Sequence, residues 1–215
     1  MTVRFSGGGF IDDDVEAYIY ELLPPRDQVI TEMEQQAIER SIPIIGPAVA
    51  RLLHQYALAI NARRVFEMGS AIGYSTIWLA RAVGPGGRVY YSDGSEKNAA
   101  EARGYFEREG LLDRIEILVG DSIELIDTVE GEFDLIFNDV DKHQYPAAFH
   151  KAAPRVRRGG LFVTDNVLWS GRVARGDHDA DTEGVREFNR LIYSTREMYS
   201  SILPIRDGLA VCLKL

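Results

Sequence analysis

The sequence predicts an α/β fold in which a mostly parallel β-sheet is covered by helices on both faces. Short apolar segments of strand type alternate with amphipathic helical segments along most of the chain. This alternation is typical of parallel strands that are joined by crossover helices. The last two apolar segments are joined only by residues 206–208, a connection of hairpin length. The final strand should therefore run antiparallel to its neighbour.

The predicted elements follow from the spacing of apolar residues. Residues 12–23, 26–40 and 47–60 repeat apolar positions at helical spacing, and a Pro-Pro pair separates the first two helices. The predicted strands that follow cover residues 63–69, 87–93, 115–121, 133–139, 159–166, 200–205 and 208–215. The predicted helices between them cover residues 74–83, 96–109, 122–129, 145–157 and 181–199. Residues 170–181 are expected to form a mobile loop.

Length and composition indicate a globular protein. The 215 residues suffice for one α/β domain, so we expect a single domain over residues 1–215 with an N-terminal helical segment over about residues 1–45. Hydrophobic residues make up 46% and charged residues 27%, which argues against disorder. The net charge of −9 disfavours general binding to nucleic acid or to an anionic membrane.

The sequence indicates a cytoplasmic protein. No apolar run approaches the roughly 20 residues that span a bilayer, and the N-terminal stretch lacks the apolar core of a signal peptide. The single cysteine, Cys212, excludes an intramolecular disulfide and points to a reducing compartment. Gly7, Gly8 and Gly9 are interpreted as a flexible lead-in, because no strand precedes them as it would in a phosphate-binding loop.

The stretch VFEMGSAIGYS, residues 65–75, predicts a ligand-binding turn between the first strand and the next helix. Gly69 and Gly73 let the backbone turn sharply and approach a ligand, and the amides at the helix start near Ser75 can meet a carboxylate. Ala71 stands where a dinucleotide fingerprint has its middle glycine, and Glu67 would repel a diphosphate. S-adenosylmethionine fits better, because it carries a sulfonium and an ammonium but no phosphate. The alternative is a turn whose glycines serve packing alone.

Polar residues at the ends of the next two strands extend the predicted site. Ligands of open α/β sheets bind at the carboxyl ends of the strands. Asp93 ends the second strand, where a carboxylate can accept hydrogen bonds from both hydroxyls of a ribose. Asp121 and Ser122 follow the third strand, where an adenine edge could be recognised. The pattern predicts nucleoside binding, with a dehydrogenase-like or non-enzymatic nucleotide binder as an alternative to a methyl-transferring enzyme.

Carboxylates and an amide at the ends of two further strands predict a metal site. Asp139 ends one strand, and Asp165 and Asn166 end the next. Adjacent parallel strands lie roughly 5 Å apart, so these side chains should converge. Carboxylate and amide oxygens without thiolate or imidazole suit Mg²⁺, Ca²⁺ or Mn²⁺. The alternative is that each aspartate caps the segment that follows it.

Lys142 is the predicted general base. It stands three residues beyond Asp139, beside the predicted cation. A metal-bound hydroxyl is acidified, and a neighbouring lysine that is neutral for part of the time can take its proton. The alternative is a surface lysine paired with Asp141.

The stretches VFEMGSAIGYS, YYSD, GDSIELI, FNDVDKHQY and VTDNVLWSGRV, in this order, resemble the cation-dependent O-methyltransferases. That family includes catechol O-methyltransferase and the caffeoyl-coenzyme A methyltransferases. The resemblance runs from about residue 30 to the C-terminus. It implies a Rossmann-like class I methyltransferase sheet of seven strands with a reversed last hairpin, and it implies a homodimer.

The resemblance also assigns roles to the residues already singled out. The predicted cofactor-binding residues are Glu67, Gly69, Ser70, Gly73, Ser75, Asp93, Asp121, Ser122 and Asp139. The predicted metal ligands are Asp139, Asp165 and Asn166, and Lys142 is the base. Two hydroxyls held by one metal predict a vicinal-diol acceptor such as a catechol, with Tyr74, Tyr145 or Trp169 as walls for the ring. A hydroxylated nucleoside of transfer RNA is the alternative acceptor, with phosphates on Arg155, Arg157 and Arg158 or on Arg172 and Arg175.

Overall fold

The described part of the chain, residues 12–215 of a computed structural model, is built around one seven-stranded sheet. The interpretation of Gly7, Gly8 and Gly9 as a flexible lead-in therefore lies outside the described residues, as does the start of the expected N-terminal helical segment. The strands are β1 (Arg64–Met68), β2 (Arg88–Asp93), β3 (Ile115–Val119), β4 (Phe133–Asn138), β5 (Val156–Thr164), β6 (Met198–Leu203) and β7 (Leu209–Lys214).

The strand order confirms the predicted sheet. The order is β3-β2-β1-β4-β5-β7-β6. Strands β1 to β5 pair with one another in parallel. Strand β7 runs antiparallel to both β5 and β6, as the short connection at residues 206–208 requires. The chain order reverses between β1 and β4, and this reversal opens a crevice at the carboxyl ends of the strands.

Helices cover both faces of the sheet. They are α1 (Asp13–Glu21), α2 (Gln28–Glu39), α3 (Gly46–Ala59), α4 (Tyr74–Val83), α5 (Glu96–Arg108), α6 (Ser122–Leu125), α7 (Tyr145–Ala152) and α8 (Ala180–Ser194). One apolar core lies under α2 to α5, and a second lies under α7 and α8. Within residues 12–215, no helix is long and apolar enough to cross a membrane.

Two predicted helix ends are wrong. The helix predicted over residues 145–157 ends at Ala152 and gives way to a 3₁₀ turn at Ala153–Arg155, because Pro154 has no backbone N–H to continue the helix. Strand β5 consequently begins at Val156. The helix predicted over residues 181–199 ends at Ser194, and a turn leads into β6 at Met198. The predicted loop at residues 170–181 is partly a 3₁₀ segment, Trp169–Ala174.

A close approach of helix α8 fixes the segment that carries the predicted base. The segment Lys142–Gln144 forms a 3₁₀ turn directly after β4. Helix α8 packs on it through Gly184, where an added Cβ would lie 2.5 Å from the carbonyl oxygen of Lys142. Only a residue without a side chain fits there, so the backbone around Lys142 is held against a rigid helix.

Candidate active site

A cleft of about 620 Å³ lies at the carboxyl ends of the parallel strands, at the point where the strand order reverses. Most of its lining residues are polar, and several are acidic. The lining comprises Pro43, Gly69, Ala71, Asp93, Gly94, Asn98, Gly120, Asp121, Ser122, Asp139, Val140, Asp141, Lys142, Gln144 and Asn166. The structure therefore brings together residues from the ends of the first five strands of the sequence prediction.

The glycine turn after β1 approaches the end of β4 closely. Gly69 has a φ of +82°, and a Cβ there would lie 2.5 Å from the carbonyl oxygen of Asp139. The backbone N–H groups of Gly69 and Ser70 donate to the carbonyl of Ser92 at 3.1 and 3.0 Å. Gly69 lines the cleft, whereas Ser70 and Gly73 of the same turn and Ser75 in the first turn of α4 are buried and do not line it.

Asp93 links the glycine turn to helix α5. Its Oδ2 accepts from the backbone N–H of Ala71 at 2.9 Å. Its Oδ1 accepts from the backbone N–H of Ser95 at 2.9 Å and from the side-chain amide of Asn98 at 3.0 Å. The carboxylate faces the cleft from a fixed position, and its remaining lone pairs can accept from a diol.

The third strand end contributes Asp121 and Ser122. Both line the cleft. The Asp121 carboxylate caps helix α6 by accepting from the backbone N–H of Ile123 at 2.8 Å. The Ser122 hydroxyl accepts from the hydroxyl of Ser92 at 2.9 Å, which ties the ends of β2 and β3 together. These bonds fix the wall of the cleft on the side of the predicted adenine.

Glu67 lies behind the cleft rather than in its lining. The side chain is fully buried and accepts from the hydroxyl of Thr76, while Ser75 and Ser70 also interact with its carboxylate. Burial raises the pKa of the Glu67 carboxyl to about 7, although these hydroxyl donors act in the opposite direction. In this arrangement Glu67 holds the glycine turn and the start of α4 together.

The parallel register of β4 and β5 places the two predicted metal-binding carboxylates side by side. Asn138 is paired with Thr164, so Asp139 and Asp165 are the next residues on neighbouring strands. Asp165 is 2% exposed, and its Oδ1 has no hydrogen-bond partner. Burial, followed by the negative charge of Asp139, raises the pKa of the Asp165 carboxyl well above its ordinary range. Two carboxylates held in this way repel each other unless a proton or a cation lies between them.

Asn166 completes the predicted ligand set at the edge of the cleft. It lines the cleft beside Asp139, with its backbone in the left-handed region at φ +57°. In the described chain, no group of three or more His, Cys, Asp or Glu side chains is arranged to hold a metal ion. The set at the strand ends contains two carboxylates and one amide instead. An unpartnered buried oxygen on Asp165 and oxygen-only donors fit a hard divalent cation.

Lys142 is paired with a carboxylate in this structure. Its Nζ donates to Asp139 Oδ1 at 2.9 Å and lies 5.3 Å from the ring centre of Tyr145 and 5.7 Å from that of Trp169. Burial disfavours the charged amine, but Asp139 and Tyr145 outweigh this, and the pKa of Lys142 is raised. The amine thus keeps its proton while Asp139 is its partner. The alternative pairing with Asp141 is not observed.

Of the aromatic residues expected to wall an acceptor, two are buried instead. Tyr74 donates to the buried Glu34 at 2.7 Å, and Tyr145 donates to the backbone carbonyl of Asp165 at 2.8 Å. Trp169 is partly exposed and lies over Lys142. Trp169 is therefore the one of these three aromatic residues that is not buried, and it lies beside Lys142 without lining the cleft.

The arginines considered for phosphate binding make contacts elsewhere or lie outside the cleft. Arg155 donates to the carbonyls of Ile126 and Gly131, and Arg157 pairs with Asp134, at the amino end of β5 and away from the cleft. The exposed Arg158 belongs to the same strand end. Arg172 pairs with Asp179, and Arg175 follows the 3₁₀ segment. None of these five arginines lines the cleft.

Several lining residues were not predicted from the sequence. Asn98 was missed although its position on the first turns of α5 lets it reach Asp93, a placement that becomes visible once that helix start is known. Asp141 and Gln144 frame Lys142, and their proximity to it along the chain was a usable signal. Pro43 comes from the segment between α2 and α3, and nothing in the sequence links it to the strand ends.

The fold is that of solved O-methyltransferases whose crystal structures contain S-adenosylhomocysteine or S-adenosylmethionine, at 33% and 30% identity, and the class is that of S-adenosylmethionine-dependent methyltransferases. A family model described as O-methyltransferase matches residues 25–215, and the chain belongs to this O-methyltransferase family. This membership excludes the alternative of a non-methylating nucleotide binder.

Similar proteins agree with this membership. Catechol O-methyltransferase of Mycobacterium tuberculosis is 36% identical over 176 residues, which cover 80% of this chain and 80% of that protein. Catechol O-methyltransferase of Niastella koreensis is 31% identical over 215 residues, which cover 94% of this chain and 97% of that protein. The crystal structure of an O-methyltransferase from Bacillus cereus in complex with S-adenosylhomocysteine has a TM-score of 0.85 and 33% identity, covering 94% of this chain and 97% of that one.

Glu67 should make the stability of the protein pH-dependent. Its pKa is about 7 in the folded protein against an ordinary 4.5, so the folded state holds this proton more tightly than the unfolded chain. The stabilisation is complete below the ordinary value and is lost as the pH rises through about 7. Between about pH 5 and about pH 8, wild type should lose about 2 kcal/mol more unfolding free energy than Glu67→Gln. Urea unfolding of both proteins at the two pH values measures this, and parallel pH dependences would contradict it.

Proposed function

We propose that this enzyme is a divalent-cation-dependent O-methyltransferase that methylates one hydroxyl of a small vicinal-diol acceptor, such as a catechol. The proposal is carried by Asp139 and Asn166, which line one edge of the cleft, together with Lys142, which pairs with Asp139. The register of β4 and β5 sets the buried Asp165 next to Asp139, behind the cleft lining. This edge adjoins the glycine turn and Asp93, which we assign to the methyl donor. The donor and the attacking oxygen would thus be held next to each other, which lowers the entropic part of the barrier.

The donor side of the cleft suits a cationic nucleoside. Asp93, Asp121 and Asp139 line it, so its surface charge favours a sulfonium and an ammonium over a phosphate. We assign the ribose hydroxyls to Asp93 and the adenine to Asp121 and Ser122. Gly69 would let the ligand approach the backbone, while Ser70, Gly73 and Ser75 would support the turn from behind. Glu67 would also support the turn from its buried position.

The metal assignment is supported by the donor set. Asp139, Asp165 and Asn166 would hold Mg²⁺, Ca²⁺ or Mn²⁺ through oxygen atoms alone. A cation bound there would relieve the repulsion between the carboxylates, take Asp139 away from Lys142, and acidify the acceptor hydroxyls.

Lys142 is assigned the proton-accepting step. Its pairing with Asp139 keeps it protonated, so it can serve as a base only when that carboxylate is neutralised by another charge. The hydroxyl oxygen of the acceptor attacks the methyl carbon, the carbon–sulfur bond breaks, and S-adenosylhomocysteine leaves with the electron pair on sulfur. Lys142 must first release its own proton to solvent, and the neutral Nζ then takes the hydroxyl proton. The packing of α8 on Lys142–Gln144 holds the backbone of Lys142 in place at the strand ends.

A catechol-like acceptor is favoured over a nucleoside in RNA. The relatives from Mycobacterium tuberculosis and Niastella koreensis are both named catechol O-methyltransferase. Trp169 offers one aromatic face near Lys142. The arginines that an RNA substrate would need are paired elsewhere or lie away from the cleft, and the net charge is −9.

We further propose that the chain forms one domain over residues 1–215 and works as a homodimer in the cytoplasm. The resemblance to cation-dependent O-methyltransferases supports the dimer. The buried, unpaired thiol of Cys212 is compatible with a reducing compartment.

Catechol methylation by the purified enzyme tests the proposal directly. We expect transfer of a labelled methyl group from S-adenosylmethionine to catechol with Mg²⁺, and none with excess chelator. Asp139→Ala should lower the rate by at least about 100-fold, because a bound cation is worth several kcal/mol of charge stabilisation. Asp113→Ala removes an exposed carboxylate paired only with its neighbour and is the matched control. Full activity in chelator would contradict the metal role, and no labelled catechol under any condition would contradict the acceptor class.

Lys142→Ala tests the base separately. Loss of a positioned general base should lower kcat by about 10²–10⁴-fold. The dissociation constant of S-adenosylhomocysteine should not change, because Lys142 is assigned to the acceptor and not to the donor. Steady-state kinetics and calorimetry on the same preparation provide the two values. An unchanged kcat would remove Lys142 from the mechanism.

A further inference from the structure

Two turns that contain residues with left-handed backbone lie beside the candidate metal site and are hydrogen-bonded to each other. We call this pair of turns, residues 166–170 and 206–208, the clasp. One follows β5, where Asn166, Trp169 and Ser170 have φ values of +57°, +46° and +51°. The other is the connection between β6 and β7, where Arg206 has a φ of +48° and Gly208 a φ of +88°. Such conformations cost about 1 kcal/mol or more for residues other than glycine, so neighbouring contacts must hold them in place.

Backbone contacts join the two turns. The N–H groups of Val167 and Leu168 donate to the carbonyls of Gly208 and Asp207 at 3.1 and 2.9 Å. A Cβ on Gly208 would lie 2.5 Å from Cγ of Leu168, so only glycine permits this approach. The connection at residues 206–208 is therefore more than a hairpin turn, because it also fixes the chain that follows Asp165.

Asp207 adds side-chain contacts to this clasp. Its Oδ1 accepts from the backbone N–H of Ser170. Its carboxylate also interacts with the side-chain amide of Asn166, which acts as the hydrogen-bond donor. Asp207 is half-buried and is not among the residues that line the cleft, so its carboxylate is turned to the clasp rather than to a ligand.

The contact with Asp207 restricts the orientation of the Asn166 amide. A carboxylate only accepts hydrogen bonds, so the NH₂ end must turn to Asp207. The carbonyl oxygen of the amide is then left without this partner and is free to bind a ligand, and Asn166 lines the cleft beside Asp139. An amide turned the other way would offer a hard cation a donor N–H group, which cannot bind it.

We propose that Asp207 is a positioning residue for the cation site, which orients the amide of Asn166 and holds its left-handed backbone. The inference rests on the proposed function for the presence of the cation and deepens it by a residue outside the ligand set. Outer-shell partners of this kind typically contribute a factor of about 10–100 to metal affinity.

Calorimetric titration of Mn²⁺ into the full chain saturated with S-adenosylhomocysteine tests the proposal. Asp207→Ala should weaken Mn²⁺ binding by about 10–100-fold. Asp207→Asn should show a smaller loss, because its carbonyl oxygen can still accept from Asn166 or Ser170. The dissociation constant of S-adenosylhomocysteine should stay at the wild-type value in both variants, since Asp207 does not touch the donor side. Asp113→Ala is the control for removing one negative charge.

The outcomes separate this inference from the proposed function. Wild-type Mn²⁺ affinity in Asp207→Ala, with intact binding of S-adenosylhomocysteine, would overturn the positioning role and leave the metal site standing. Absence of Mn²⁺ binding in wild type would overturn both. If Asp207→Ala loses its thermal transition, Asp207→Asn decides, and an affinity equal to that of wild type would overturn the role. Equal weakening by Asp113→Ala would show a general charge effect and would also overturn it.

Discussion

The parallel register between β4 and β5 is the constraint on which the site depends. Pairing of Asn138 with Thr164 makes Asp139 and Asp165 neighbours at the same strand ends, one partly exposed and the other buried. The sheet thus holds two like charges together, and hydrogen bonding within the protein leaves one oxygen of Asp165 without a partner. Buried like charges that lie close together cost folding free energy, and such groups are typical of sites that bind a ligand.

The rest of the fold keeps that pair beside the donor. Gly69 allows the turn after β1 to lie against Asp139, so the end that we assign to the sulfonium adjoins the end assigned to the metal. Helix α8 presses on the backbone of Lys142 through Gly184. The antiparallel hairpin of β6 and β7 carries Asp207 and Gly208, which hydrogen-bond the turn that contains Asn166. Sheet topology and site chemistry are therefore linked, because the antiparallel strand brings the clasp to the cleft.

Much of this was accessible from the sequence, because strand ends in a parallel sheet have a common location. Alternating strands and helices predicted the sheet, and the short connection at residues 206–208 predicted its reversed strand. The same logic placed Asp93, Asp139 and Asn166 at one edge. Side-chain direction was not accessible: Glu67 is fully buried and its contact with the cofactor stays a prediction, whereas Tyr74 and Tyr145, expected as walls for the acceptor, belong to the core. Pro43 and Asp207 reach the site only through tertiary packing, which no local pattern encodes.

The central claim is that the strand-end oxygens of β4 and β5 hold one hard cation next to the methyl donor. Anomalous diffraction from a crystal grown with Mn²⁺ and S-adenosylhomocysteine measures this most directly. We expect one anomalous peak within coordination distance of Asp139, Asp165 and Asn166, with Lys142 released from Asp139 and the nucleoside on Asp93. A fully bound nucleoside with no peak between those three side chains, and Lys142 still paired with Asp139, would contradict it.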